Sequence, residues 1–211
     1  MNRITLLLIL VVTFSCKDEK KVKTIKELQV VEKQFKVGKQ FSDTDFLTIS
    51  KVKVDLAATE EFENGNQVYN VVRATTTEPA YLASQLIPVI YASEYRVSVF
   101  AKKGSKGSRL GLRIQGNYPD RVDAIFDLEQ GIIVDYKISQ DFEKPLATIE
   151  KLSGDWYKCA ISAEVAADNV RIILGATSIE KDIWEWEGNT KTLCDVNIIP
   201  SSLLIEERLY L

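Results

Sequence analysis

From about Phe46 onward, apolar and polar residues alternate in short blocks with a period of two. In Tyr95-Arg-Val97-Ser-Val99-Phe-Ala101 the residues Arg96, Ser98 and Lys102 fall on one side and Val97, Val99 and Ala101 on the other. The same reading holds for Leu110 to Gln115 and for Val122 to Leu128. Further strand-like blocks cover 47–54, 67–74, 81–89, 132–138, 147–152, 156–163, 170–177, 192–199 and 203–206. Gly104 to Gly107, Gly116-Asn117-Tyr118-Pro119-Asp120, Glu129-Gln130-Gly131, Ser153-Gly154-Asp155 and Glu187-Gly188-Asn189 supply turn chemistry between them. About a dozen short strands without a long helical pattern predict an all-β fold. The expected architecture is a two-sheet antiparallel, jelly-roll-like β-sandwich over 42–211.

The N-terminus follows another pattern. Met1-Asn2-Arg3 precedes an apolar run from Ile4 to Ser15, too short for a membrane span of about 20 residues but of the size of a secretory signal core. The run ends in Thr13-Phe14-Ser15-Cys16, which resembles a bacterial lipobox, although Phe14 stands where a small residue is usual. The resemblance implies a signal peptide over 1–15, a diacylated Cys16 and a charged tether over 16–41. Lys17-Asp18-Glu19 behind the cysteine looks like a surface-export signal of Gram-negative lipoproteins, which implies a lipid-anchored protein of the bacterial outer membrane. Ile25, Leu28 and Val31 allow one short strand or helix within the tether.

Composition narrows the chemistry. The 211 residues carry 27 Lys+Arg against 30 Asp+Glu, a net charge of −3, so nucleic acid is not an expected partner. With no histidine, Ser-His-Asp and Cys-His catalysis are excluded. The 19 Val, 20 Ile and 13 Thr favour strands. Glu60, Glu61 and Glu63 beside Asn64-Gly65-Asn66 read as a solvated acidic loop whose oxygens would suit a structural calcium ion, without an EF-hand spacing to support one. Cys159 and Cys194 remain after lipidation of Cys16; a disulfide and two buried thiols are both open.

Three stretches together resemble a family. Tyr95-Arg-Val-Ser-Val-Phe-Ala-Lys102 is followed by Phe126-Asp-Leu-Glu-Gln-Gly131 and by Gly154-Asp-Trp-Tyr-Lys-Cys159, with Pro200 to Glu207 similar to a closing strand. The set resembles the carbohydrate-binding-module-like sandwich of glycan-utilisation and phage tail-fibre proteins. What the resemblance implies is that fold and a tendency to bind glycans, with no shared catalytic residues. Within it, Gly131 is expected at a positive φ, and Trp156 and Tyr157 on opposite faces, one in the core and one half-exposed.

Candidate binding residues follow from sugar chemistry, in which rings stack on C–H faces and fixed polar groups take the hydroxyls. Trp184 and Trp186 share a face if their segment is extended, and Tyr118 sits in a turn. The alternative is that the tryptophans cap the core. Arg96, Arg113, Gln115 and Arg171 lie on polar strand sides and would form a donor-rich surface for acidic sugars if their strands are neighbours. Pairing with Asp123 and Asp127 is the ordinary account. The expected function is polysaccharide capture at the cell surface, with partner proteins of the outer membrane. A structural or adhesive protein is the alternative, and a lyase or hydrolase would need facing carboxylates across a cleft.

Overall fold

The computed structural model describes residues 35–62, 65–178 and 182–209. The signal segment, Cys16 and the helical spacing at Ile25 to Val31 lie outside the described residues. The described residues belong to one compact unit. Among the described residues no helix is long and apolar enough to cross a membrane.

The strands are, in chain order, β1 (Phe35–Gln40), β2 (Ser50–Val52), β3 (Val54–Phe62), β4 (Asn66–Arg73), β5 (Tyr81–Ala83), β6 (Ile87–Pro88) and β7 (Ser93–Lys103). They continue with β8 (Arg109–Gln115), β9 (Arg121–Asp127), β10 (Ile132–Ser139), β11 (Glu143–Lys151), β12 (Tyr157–Val165), β13 (Asn169–Thr177) and β14 (Asp195–Arg208). One sheet has the order β11-β12-β7-β14-β4-β3, with β1 also on β14; the other has β10-β9-β8-β13-β5-β2, with β6 also on β13. Both are antiparallel throughout, a two-sheet sandwich as the alternation predicts.

Each sheet turns its apolar side inward. Val97, Val99 and Ala101 of β7, Cys159 and Ile161 of β12 and Val196 and Ile198 of β14 face Leu110, Leu112 and Ile114 of β8 and Val122, Ala124 and Phe126 of β9. Burying each large aliphatic side chain there stabilises the fold by roughly 1.5–3 kcal/mol. Alternation therefore sends Arg113, Arg121 and Asp123 to the outer side of the second sheet, and Ser98 and Phe100 to the outer side of the first.

Several expectations change. Phe35–Gln40, assigned above to the tether, is strand β1, registered from Phe35 opposite Arg208 to Gln40 opposite Leu204. Asp43–Leu47, which meets the expected strand block 47–54 only at Leu47, is a short helix α1. Ser42 accepts from the Asp45 N–H at 3.0 Å while the Asp45 carboxylate accepts from the Ser42 N–H at 3.0 Å, a reciprocal cap that closes the first turn and seats Phe46 in the core. Glu60 and Glu61 belong to strand β3, not to a loop, and Glu60 pairs with Lys102.

The expected block 81–89 divides into β5 and β6, whereas the two expected C-terminal blocks merge into β14. Gly131 has the expected positive φ of 67°. Trp156 and Tyr157 take opposite faces, but both are buried: Tyr157 in the core, Trp156 against Val68 and Ile199 on the outer side.

Cys159 and Cys194 are free buried thiols, so the disulfide is not formed. Cys159 is in β12 and Cys194 immediately precedes β14; β7 lies between those two strands and separates them by two spacings, about 9–10 Å. A disulfide needs Cα atoms within about 7 Å.

Candidate functional site

The expected residues converge on the outer face of the second sheet, though not as an open tryptophan pair. Cross-strand register builds two rows there. Arg171, Gln115, Arg121 and Ser139 form one, and Ile173, Arg113, Asp123 and Lys137 the other. Gly175 and Gly111 lie opposite each other one row on and leave a flat patch.

A returning segment covers that patch. Asp182 caps a single 3-10 turn, Ile183–Glu185, by accepting from the Trp184 N–H at 2.9 Å. A 3-10 turn repeats every three residues, so Trp184 and Trp186 diverge where an extended segment would have aligned them. Trp186 is fully buried over Gly111, among Ile125, Ile173 and Ile183. It is a core-capping residue, and the exposed platform expected of it is not there.

Arg113 is likewise internal. Its Nε donates to Asp123 Oδ1 at 2.7 Å, and its two terminal nitrogens hold Glu187 in a fork at 2.9 Å each. The Trp186 indole N–H donates to the same Asp123 oxygen at 2.6 Å, and Arg121 Nε stands 3.3 Å from Oδ2. Burial pushes the Asp123 carboxyl up from its usual range, against the opposing pull of Arg113 and Arg121. Burial likewise opposes the charge on Arg113, but Asp123 and Glu187 outweigh it and hold that guanidinium above its ordinary value. Deeper still, Arg73 donates to the carbonyls of Glu78, Glu187 and Gly188 and fastens the far end of the segment.

What stays open is the rim. The Arg121 guanidinium lies 4.8 Å from the Trp184 ring and 5.8 Å from the Tyr118 ring, and donates to the Trp184 carbonyl at 3.2 Å. Tyr118 is 77 % exposed, and Trp184 is half-buried. Gln115 and Arg171 are half-buried beside Arg121, and among the described residues the Arg171 Nε has no hydrogen-bond partner. Two rings, two guanidinium groups and an amide thus meet at one edge, a set that suits ring stacking and acceptor-rich ligands. The carboxylates here are committed: Asp123 to the Arg113 and Trp186 donors and to an ion pair with Arg121, Glu187 to Arg113, and Asp127 to Arg109.

Arg96 does not join this set. It is on the other sheet, where it pairs with Glu206 at 2.8 Å and lies 4.0 Å over the Phe35 ring. Arg121 was not singled out from sequence. It starts β9 three residues after Tyr118, and the alternation that fixes Asp123 places it on the same face.

No family model matches the chain, and no curated protein matches it. Solved structures do resemble it. The CBM22-1–GH10 modules of a Clostridium thermocellum endo-1,4-β-D-xylanase, complexed with xylohexaose, share 15% identity over 83% of this chain, at a TM-score of 0.45. The chain spans 29% of that structure's length. A CBM6 module of a Zobellia galactanivorans laminarinase shares 10% identity over 81% of this chain and 98% of its own, at 0.39. A carbohydrate-binding module of a Cellvibrio mixtus lichenase, in complex with cellotriose, shares 9% over 83% and 99%, at 0.40. The strand order given above defines the sandwich independently of these likenesses.

Proposed function

We propose that the protein is a non-catalytic glycan-binding lipoprotein whose sandwich captures acidic polysaccharide at the bacterial cell surface. The observation that carries the reading is the Arg121 guanidinium held between the Trp184 and Tyr118 rings, beside Gln115 and Arg171. Rings of this kind stack on sugar C–H faces, and guanidinium forks donate to carboxylate or sulfate oxygens. A shallow rim of this size supports a Kd on the order of micromolar to millimolar, which many copies on one membrane raise through avidity.

The apolar run ending at Cys16 supports an outer-membrane lipid anchor. Labelled palmitate incorporated into the full chain and lost in Cys16→Ala tests that part. For the rim, Tyr118→Ala with Trp184→Ala abolishes retention in acidic-polysaccharide affinity gels while the thermal transition persists. Unchanged retention rejects the site. Co-purification with an outer-membrane protein, without binding across a glycan array, would favour an adhesive role instead.

A further inference from the structure

The first sheet has its own hollow, on the face turned away from the rim. Its origin is a local break in β14. Ile199 is registered opposite Phe100 and Leu204 opposite Ser98, so four residues of β14 stand against no partner in β7. They form a bulge that buries Leu203 in the core and is fixed by Ser202, whose hydroxyl accepts from the Phe100 N–H at 2.7 Å and donates to the Ile199 carbonyl at 2.6 Å. Ser201 and Ser202 of the bulge wall a groove of about 380 Å³, within the range of small-ligand sites.

The lining combines apolar rings with fixed polar groups. Phe62 and Phe100 supply the rings, Gln40 and Asn66 the amides, Ser98 a hydroxyl and Lys158 the charge. Gln40 donates to the Ser201 carbonyl at 2.9 Å, and the Ser201 hydroxyl donates to Asn66 at 2.8 Å, so the polar wall is set before any ligand arrives. Among the described residues, no Asp or Glu lines this groove. Lys158 makes none of the described ion pairs, although the exposed Glu150 is its cross-strand neighbour.

A second hollow of about 130 Å³ lies on the same face: Ser98, which lines the first, is registered opposite Ala160, which lines the second. The charged groups of the second, Arg96 and Glu94, are already paired with Glu206 and Arg208. Lys158, set among rings, amides and hydroxyls and outside the described ion pairs, matches a sugar bearing a carboxylate, and the neighbouring hollow gives room for further sugars of the chain.

We infer that this groove is a second glycan site, independent of the rim, that binds a uronate-containing oligosaccharide with Lys158 on its carboxylate. The test is calorimetric titration of the full chain in detergent with galacturonate oligosaccharides at low salt. Two equivalents bind the wild type. Tyr118→Ala with Trp184→Ala leaves one equivalent, and Lys158→Glu weakens that remaining site on the order of tenfold or more. Lys158→Met, which keeps the aliphatic stem, weakens it in the same direction, and neutral gluco-oligosaccharides bind this site more weakly than the uronate.

The inference is overturned if the rim variant binds no galacturonate, if either Lys158 variant binds like its parent, or if neutral and acidic sugars are equivalent here. Two equivalents retained by the rim variant would reject the rim; in that background, weakening of one equivalent by Lys158→Glu supports the groove, and two unchanged equivalents overturn it.

Discussion

Trp186 fills the space that a side chain at Gly111 would need: a Cβ there would lie 2.3 Å from the indole Cδ2 and Cε3. The ring face, the glycine backbone and the Asp123 carboxylate at the ring's edge lock together, and this contact closes the middle of the second sheet. Gly111→Ala forces the ring away. The expected cost is about 1–3 kcal/mol, read as a lower thermal midpoint with a red-shifted tryptophan emission. An unchanged midpoint and spectrum would mean the stack does not exist in solution.

Asp123 is fully buried, where its Oδ1 accepts from Arg113 and Trp186 and its Oδ2 forms an ion pair with Arg121. Asp123→Ala strands two guanidinium groups and an indole N–H, and should destabilise the protein by about 3–5 kcal/mol in denaturant unfolding. Trp186→Phe keeps an apolar ring and loses the N–H donor, so its cost should be distinctly smaller. Equal costs would show that the ring, not the hydrogen bond, carries the contact.

Arg73 should govern the returning segment more than the sheets. Its guanidinium is bound to the carbonyls of Glu187 and Gly188 and is almost wholly buried. Arg73→Met leaves the Gly188 carbonyl without its donor, at about 1–3 kcal/mol for a buried unsatisfied group, while the Glu187 carbonyl keeps the Ala80 N–H at 2.8 Å. Hydrogen exchange should accelerate first at residues 182–190, while β7 and β12 keep their protection. Uniform acceleration would refute this local role.

Acid should act through Asp195. Burial alone would raise its carboxyl, but the backbone N–H groups of Lys106 and Ser105, with Asn70 and the Ser105 hydroxyl, outweigh that and hold it below its ordinary value. A carboxyl depressed in the folded state stabilises it at neutral pH, and that contribution is lost as pH falls from the ordinary carboxylate range through the folded value. The stability gap between wild type and Asp195→Asn should therefore be largest near neutrality and shrink below about pH 4. A gap constant with pH would contradict the assignment.

The two thiols should be silent in the native protein. Burial pushes Cys194 up to about 11 and raises Cys159 as well. A thiol reagent at neutral pH should label neither until denaturant is added, and a reductant should leave the thermal midpoint unchanged. Rapid native labelling of Cys194 would show that its cover opens.

The strands on either side of the core were readable because their alternation is strict: Val97, Val99 and Ala101, or Leu110, Leu112 and Ile114, leave no other face for burial. Strand β3 was not, since its acidic, largely exposed residues at a sheet edge have the composition of a loop. The helix after Ser42 carried its signal in the spacing of Ser42 and Asp45, but five residues give too little periodicity to outvote the block that follows.

The site was half-readable for a related reason. Tyr118, Gln115 and Arg171 follow from strand and turn positions, which are local. The burial of Trp186 and Arg113 depends on a segment returning from more than 70 residues away, and the fork from Arg113 to Glu187 spans 74 positions. Strand order brings those partners together, and local alternation holds no information about it.

Strand β1 also determines how the body takes a pull. It is a five-pair ladder on β14, the same strand that bonds β7 and β4. Tension applied at Phe35 is borne first by that ladder. Its rupture would release several residues before the rest of either sheet felt the load, making β1 a mechanical fuse in front of the sandwich.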